Sequence, residues 1–290
     1  MTKSNFISVC EFNTSFGLPH SNTPQINILK QNTKISDLRI NLCKEEAEEY
    51  NDAFRDKNFI EIIDALTDEL YVLYGAGSSF GVNLDNLFVS KIIAIYFQSS
   101  YKKEHNDNEF LDEILAYSNY DMLKNILIKK EPLFTYRRCN TINSDTIFSD
   151  RFVNSKEYEN LRVTLFELKN NLNRNIKKLE QEKQLGHFEG VVDTLATLLH
   201  DTYKLGIFQG INLDTSFKIV HSSNMSKLCR SEKEAEETVE WYKLNDDRYK
   251  TPHYRKSDDG KYWVVYNKDS GKILKSILYT PADFKTLFTP

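Results

Sequence analysis

The sequence predicts a mainly α fold, built as a tandem-duplicated helical bundle that ends in a small C-terminal β-hairpin. Three observations carry this expectation. Only 10 glycines and 6 prolines punctuate 290 residues that are 40% hydrophobic, and long Leu/Ile/Lys/Glu stretches favour helix. A 30-residue stretch of the first half recurs without gaps in the second. A β-rich run bounded by Asp-Gly and Ser-Gly occurs only near the end.

The totals exclude several classes of function. Net charge is −4, with lysines and arginines scattered along the chain, whereas a nucleic-acid binder concentrates them on one face. Cys10, Cys43, Cys139 and Cys229 lie far apart with no CxxC pair, so neither a zinc site nor a disulfide framework is expected. The most apolar window, Leu87 to Phe97, contains Ser90 and Lys91 and is shorter than the roughly 20 residues a bilayer requires. The opening "MTKSNFISVC" has no long apolar run. The expectation is a cytoplasmic protein with no membrane and no nucleic-acid partner.

Two acidic helices come first. In "KEEAEEYNDAFRDKNFIEIIDALTDELY", Cys43, Ala47, Tyr50 and Phe54 recur at i, i+4, i+7 and i+11, one stripe of an amphipathic helix. Glu45, Glu46 and Glu49 flank that stripe. "FRDKN", from Phe54 to Asn58, reads as a turn. In the next helix Ile62, Ile63, Leu66, Leu70 and Leu73 form the buried side, and Glu61, Asp64 and Asp68 share a face at i, i+3 and i+7. Helices joined by so short a turn pack antiparallel, so the acidic faces can meet. The ordinary reading of such residues is a solvated surface. Like charges three or four residues apart destabilise a helix by about 0.2–0.5 kcal/mol per pair, and oxygen-only carboxylate sets suit Mg²⁺ or Mn²⁺.

The repeat sharpens that choice. Phe59–Phe88 aligns with Phe188–Phe217 at a constant offset of 129, and eleven of 30 positions are identical, against about two expected by chance. Upstream, Leu38–Glu49 aligns with Leu161–Leu172 at an offset of 123, which implies a longer turn in the second copy. Glu45, Glu46, Glu49 and Glu61 become Leu168, Lys169, Leu172 and Gly190, while Asp193 retains Asp64. Downstream the asymmetry reverses. His221, Asn224 and Lys227 stand at i, i+3 and i+6, where the first copy has Ile92, Ile95 and Gln98. Each copy has kept a different half of a polar constellation, as in a fused pseudo-dimer with one composite site.

These residues resemble the all-α NTP pyrophosphatase superfamily, which includes MazG-like proteins, phosphoribosyl-ATP pyrophosphohydrolase and the related dimeric dUTPases. The signature EExxE followed by ExxD stands here as Glu45-Glu46-Ala47-Glu48-Glu49 and Glu61-Ile62-Ile63-Asp64. The lead-in "EFNTSFGLPHSNTP", the segment "VHSSNMSKL" and the closing "DSGKILKSILYTPADF" are also similar to MazG-like sequences. The resemblance covers roughly residues 6–90 and 185–285; no second "FNTSFG" lead-in is evident. It makes the fold a tandem-duplicated MazG-like bundle. It implies Mg²⁺-dependent hydrolysis of a small-molecule nucleotide to NMP or dNMP and pyrophosphate, with Mn²⁺ as a substitute metal. The implied ligands are Glu45, Glu46, Glu49, Glu61 and Asp64, with Glu46 as general base and Glu49 next in line. The expected substrate contacts are His221, Asn224, Lys227, Lys275 and Asp68. A non-catalytic nucleotide sensor of the same fold is the alternative.

The expected organisation is a first repeat over 1–98, an insertion or linker over 99–157, a degenerate repeat over 158–230 and a C-terminal extension over 231–290. Arg137 and Arg138 of the insertion are expected at the surface. In the extension, "SEKEAEETVEWYKL" predicts a helix capped by Ser231 with solvated glutamates, and Tyr262–Tyr266 predicts a hairpin strand. The hairpin is expected to deliver Lys275 towards phosphates. One site per chain suits either a monomer acting as a pseudo-dimer or a homodimer.

Overall fold

The computed structural model describes residues 3–97, 117–130 and 156–287. Arg137, Arg138, Cys139 and Gln98 lie outside these residues. Ten α-helices and one two-stranded antiparallel sheet make up the described fold.

Two long helical hairpins form its centre. Helix α1 (Asn5–Phe16) and the short α2 (Ile28–Gln31) lead into α3 (Thr33–Asp56), which pairs with α4 (Phe59–Phe80). The turn is tighter than "FRDKN" suggested. Lys57 caps α3 in the left-handed region at φ 56°, and Asn58 caps α4 by accepting the Glu61 amide. Helix α5 (Leu84–Ile92) follows, capped by Asn83, and a single π-helical turn spans Ile93–Phe97. After α6 (Asn119–Lys130) comes the second hairpin, α7 (Lys156–Gln184) against α8 (Phe188–Phe208), then α9 (Leu213–Met225), capped by Asn212. The offset change between the copies is mostly helix rather than turn. Helix α7 runs five residues past Leu179, the equivalent of Asp56, and the turn itself gains one residue.

Contacts across the two halves are reciprocal. The Phe88 ring lies 5.2 Å from Tyr203, and the Tyr74 ring lies 6.0 Å from Phe217; under the 129-residue offset these are one contact made twice. The equivalent hydroxyls of Tyr74 and Tyr203 meet at 3.3 Å. Such i-to-j and j-to-i pairing defines a two-fold relation. It extends to α1 and α6. Asn5 donates to Tyr203 Oη (3.1 Å) and Asp214 Oδ1 (2.7 Å), while Asn119 donates to Tyr74 Oη (3.0 Å) and Asp85 Oδ1 (2.6 Å). Ser118-Asn119-Tyr120 thus mirrors Ser4-Asn5-Phe6. Part of the segment expected as insertion or linker is therefore a bundle helix. It buries Tyr120, Met122, Leu123, Ile126 and Leu127 in the main core, because the network needs an asparagine on each side.

The C-terminal part has its own small core. Helix α10 (Glu232–Asn245) is capped by Ser231, whose hydroxyl accepts the Glu234 amide at 3.2 Å. Strands β1 (Pro252–Lys256) and β2 (Trp263–Asn267) pair antiparallel, Tyr254 opposite Val265. Cys229, Ala235, Val239, Tyr242, Val265 and Leu274 pack between helix and sheet. The sheet docks on the end of α1, where Arg255 donates to the Phe16 carbonyl (2.7 Å) and Ser15 to Asp259 (3.2 Å). The solvated-glutamate expectation fails at Glu234, which is buried and accepts the Arg230 amide (2.9 Å) and the Ser276 hydroxyl (2.5 Å). It ties the tail that carries Lys275 to α10.

Candidate active site

Helical register places the carboxylates. Cys43, Ala47 and Tyr50 of α3 and Ile62, Leu66 and Leu73 of α4 are buried where the hairpin closes. That sets Glu45, Glu46 and Glu49 along one edge of the seam and Asp64 and Asp68 along the other. Glu46, Asp64 and Asp68 respond to the charge of their neighbours. Glu46 is pushed up to about 8 by burial first, then by Asp68, Glu49, Asp64 and Glu45. Asp68 is raised to about 7 by burial and Asp64, against a lowering pull from Lys227. Burial, Glu61 and Glu49 raise Asp64. Glu61 is exposed at the rim, one turn before Asp64. Asp68, anticipated as a substrate contact, lies inside the cluster.

Across the seam stands the second half of the site. Tyr71 of α4 shares a hydrogen bond with His221 Nδ1 at 3.1 Å, with Asn224 beside it. His221 is stacked with Phe217 and Tyr71, at 6.1 Å from each; burial, then Lys3, lowers it to about 4, so it is neutral at pH 7. Lys227 donates to Asn224 Oδ1 at 2.6 Å. Burial and Lys275 lower its pKa while Asp68 holds it up. Lys275 is exposed, with its ammonium 4.3 Å above the Tyr279 ring. The tail that carries it passes α9, with the Ser276 amide donating to the Lys227 carbonyl. Asp68 of the first hairpin therefore acts on Lys227 of the second half, with Asn224 and Lys275 beside that lysine.

The pseudo-equivalent position is built differently. Asp193 there is ion-paired to Lys91 (2.5 Å) and Lys178 (3.7 Å). Leu168 and Leu172 are buried where the first copy has Glu45 and Glu49. A cavity of about 520 Å³ opens beside Asp193 and Lys91, lined mainly by Leu87, Ala94, Ile95, Val192 and Ala196. By contrast, Glu45, Glu46, Glu49, Glu61, Asp64 and Asp68 form no ion pair among the described residues.

The donor set fits a hard divalent cation on two grounds. Every donor is a carboxylate oxygen, and Glu46 Oε2 is buried with no hydrogen-bond partner, an expensive state for an acceptor. Among the described residues no three acidic, histidine or cysteine side chains stand at ligating distance of one point. Sequence reasoning missed Glu69, the next residue after Asp68. It is fully buried, and burial and then Glu46 raise its pKa well above the carboxylate range. The signal was in the repeat, since its equivalent is Leu198. Tyr71 was missed too, because its hydroxyl's partners lie on a distant helix.

Comparison with known proteins places this geometry. A family model described as phosphoribosyl-ATP pyrophosphohydrolase matches residues 9–90, the span that carries α3 and α4. An uncharacterized protein of Acanthamoeba polyphaga mimivirus is 33% identical over 285 residues, covering 98% of this chain and 95% of its own length. No solved structure matches. No helix among the described residues is long and apolar enough to cross a membrane. With the acidic hairpin inside the matched span, residues 9–90 of the chain belong to the phosphoribosyl-ATP pyrophosphohydrolase family, part of the MazG-like all-α NTP pyrophosphatase superfamily.

Proposed function

We propose that the protein is a Mg²⁺-dependent nucleoside triphosphate pyrophosphohydrolase with one composite active site per chain, releasing NMP or dNMP and pyrophosphate. The observation that carries this reading is the pairing of unneutralised carboxylates on α3 and α4 with Asn224, Lys227 and Lys275. That arrangement suits a polyphosphate neutralised from two sides.

Glu45, Glu46, Glu49, Asp64 and Asp68 would hold Mg²⁺, or Mn²⁺ in its place, with Glu61 at the rim. When bound, the ion supplies charge neutralisation of the phosphates and polarisation of the attacking water. The chain's own residues do the rest. Glu46, with Glu49 next, accepts the proton of the water as it attacks the α-phosphorus and the bond to pyrophosphate breaks. A base whose pKa lies near 8 is well matched to neutral pH. Lys227 and Lys275 meet the charge that builds on the leaving pyrophosphate. Tyr71 and neutral His221 orient Asn224 towards the sugar or a phosphate. The family name points to phosphoribosyl-ATP, and dNTPs and NTPs are the other substrates of this reaction class.

The test is pyrophosphate release from a panel of NTPs and dNTPs with Mg²⁺, for wild type and Glu46→Gln. The expected result is turnover of at least one nucleotide and a loss of at least a hundredfold in the variant. No turnover with metal-dependent nucleotide binding intact would replace the enzyme with a nucleotide sensor. Unchanged activity in Glu46→Gln would remove Glu46 as the base.

A further inference from the structure

Glu69 has no task in the reaction just described. It lies on α4 along the stripe of Ile62, Leu66 and Leu73 that meets α3, and its exposure is 0%. Neither of its oxygens has a hydrogen-bond partner among the described residues. An unpartnered acid in an apolar seam is costly, and a better residue for packing stands in the other half of this chain. The equivalent of Glu69 is Leu198, also 0% exposed. Selection for stability alone would favour leucine at both positions. The charged group acting on Glu69 is Glu46, whose Oε2 is buried and unpartnered as well. Two carboxylates of the α3–α4 hairpin therefore leave three buried oxygens unpartnered.

We infer that Glu69 and Glu46 form an inner divalent-cation subsite, behind the outer carboxylates Glu45, Glu49, Asp64 and Asp68. Two carboxylates with water and phosphate oxygens are a usual Mg²⁺ shell. A cation there satisfies the acceptors that the protein leaves unpaired. This inference rests on the metal-dependent reading of the same cluster.

Mn²⁺ titration by calorimetry and electron paramagnetic resonance on the full chain, with thermal melts in EDTA, tests it. The variants are Glu69→Leu, which copies Leu198, and Glu69→Gln, which keeps the side-chain shape. In EDTA, Glu69→Leu is expected to melt higher than wild type. In Mn²⁺, both variants are expected to lose one bound equivalent per chain or at least tenfold in affinity. Wild-type Mn²⁺ stoichiometry and affinity in both variants would overturn the inner subsite while leaving the outer cluster intact. Absence of Mn²⁺ binding by the wild-type protein would overturn the subsite and the metal-dependent reading together.

Discussion

Raising the pH from 7 to 8.5 titrates the carboxylate cluster in the folded chain only. Glu46 takes up its proton at about 8 and Asp68 at about 7, against ordinary values of 4.5 and 3.8. Both are ionised in the unfolded chain throughout this window, so the folded state holds protons that the unfolded state has lost. Stability therefore falls as pH rises, from near 4.5 until it levels off above about 8 for Glu46, and from near 3.8 to above about 7 for Asp68. His221 acts in the opposite sense. Its folded value of about 4 lies below 6.5, so its stabilisation is present above 6.5 and lost as pH falls towards 4. Above pH 7 it contributes little. A group fully separated in pKa gives a slope of about 1.4 kcal/mol per pH unit. Glu46 is only partly buried and solvent screens its neighbours, so the two acids together are worth about 1 kcal/mol over the window. For a chain of this size that is a fall in Tm of about 2–4 °C. Thermal melts in EDTA at pH 7 and 8.5 measure it. With Mn²⁺ the trend reverses, because the cation competes with the same protons. A Tm that is flat in EDTA, together with Mn²⁺ protection equal at both pH values, would refute the electrostatic account of the cluster.

Two further outcomes follow from single contacts. Lys227→Ala removes the cation that Asp68 attracts and that orients Asn224; affinity for a non-hydrolysable triphosphate should fall about tenfold, some 1.4 kcal/mol, with a smaller loss for the monophosphate in the same calorimetric titration. Gly81→Ala adds a methyl group at φ 71°, directly against the Thr23 carbonyl, and should destabilise by about 3 kcal/mol or more in urea unfolding.

The sequence made the two acidic helices and the C-terminal hairpin readable because their signals are local. The period of Cys43, Ala47 and Tyr50 fixes which edge of α3 carries the glutamates, and Gly260 and Gly271 both take the positive φ their turns require. Other features depend on partners far along the chain. The kinship of α6 to α1 rests on Ser-Asn-aromatic alone, and only the reciprocal bonds to Tyr74 and Tyr203 reveal it. Glu69 was hidden because it occupies an apolar stripe, where a carboxylate reads as an interruption rather than a ligand. Glu234 looked like one more exposed glutamate of a capped helix until Ser276 and the Arg230 amide were seen to close around it. Asp68 was expected as a substrate contact rather than a member of the carboxylate set because ExxD ends at Asp64, although one further turn of α4 returns to the same face.

Two unequal halves build one site in the proposed enzyme. The most direct measurement is the stoichiometry of a non-hydrolysable nucleoside triphosphate analogue bound in saturating Mn²⁺, read by calorimetry with the chain's mass in solution measured alongside. One analogue per chain is the predicted result. Two per chain would mean that the half carrying Asp193 and Lys91 still binds substrate, and one per two chains would mean that the site is completed by a second copy; in either case the two halves of one chain do not share a single site.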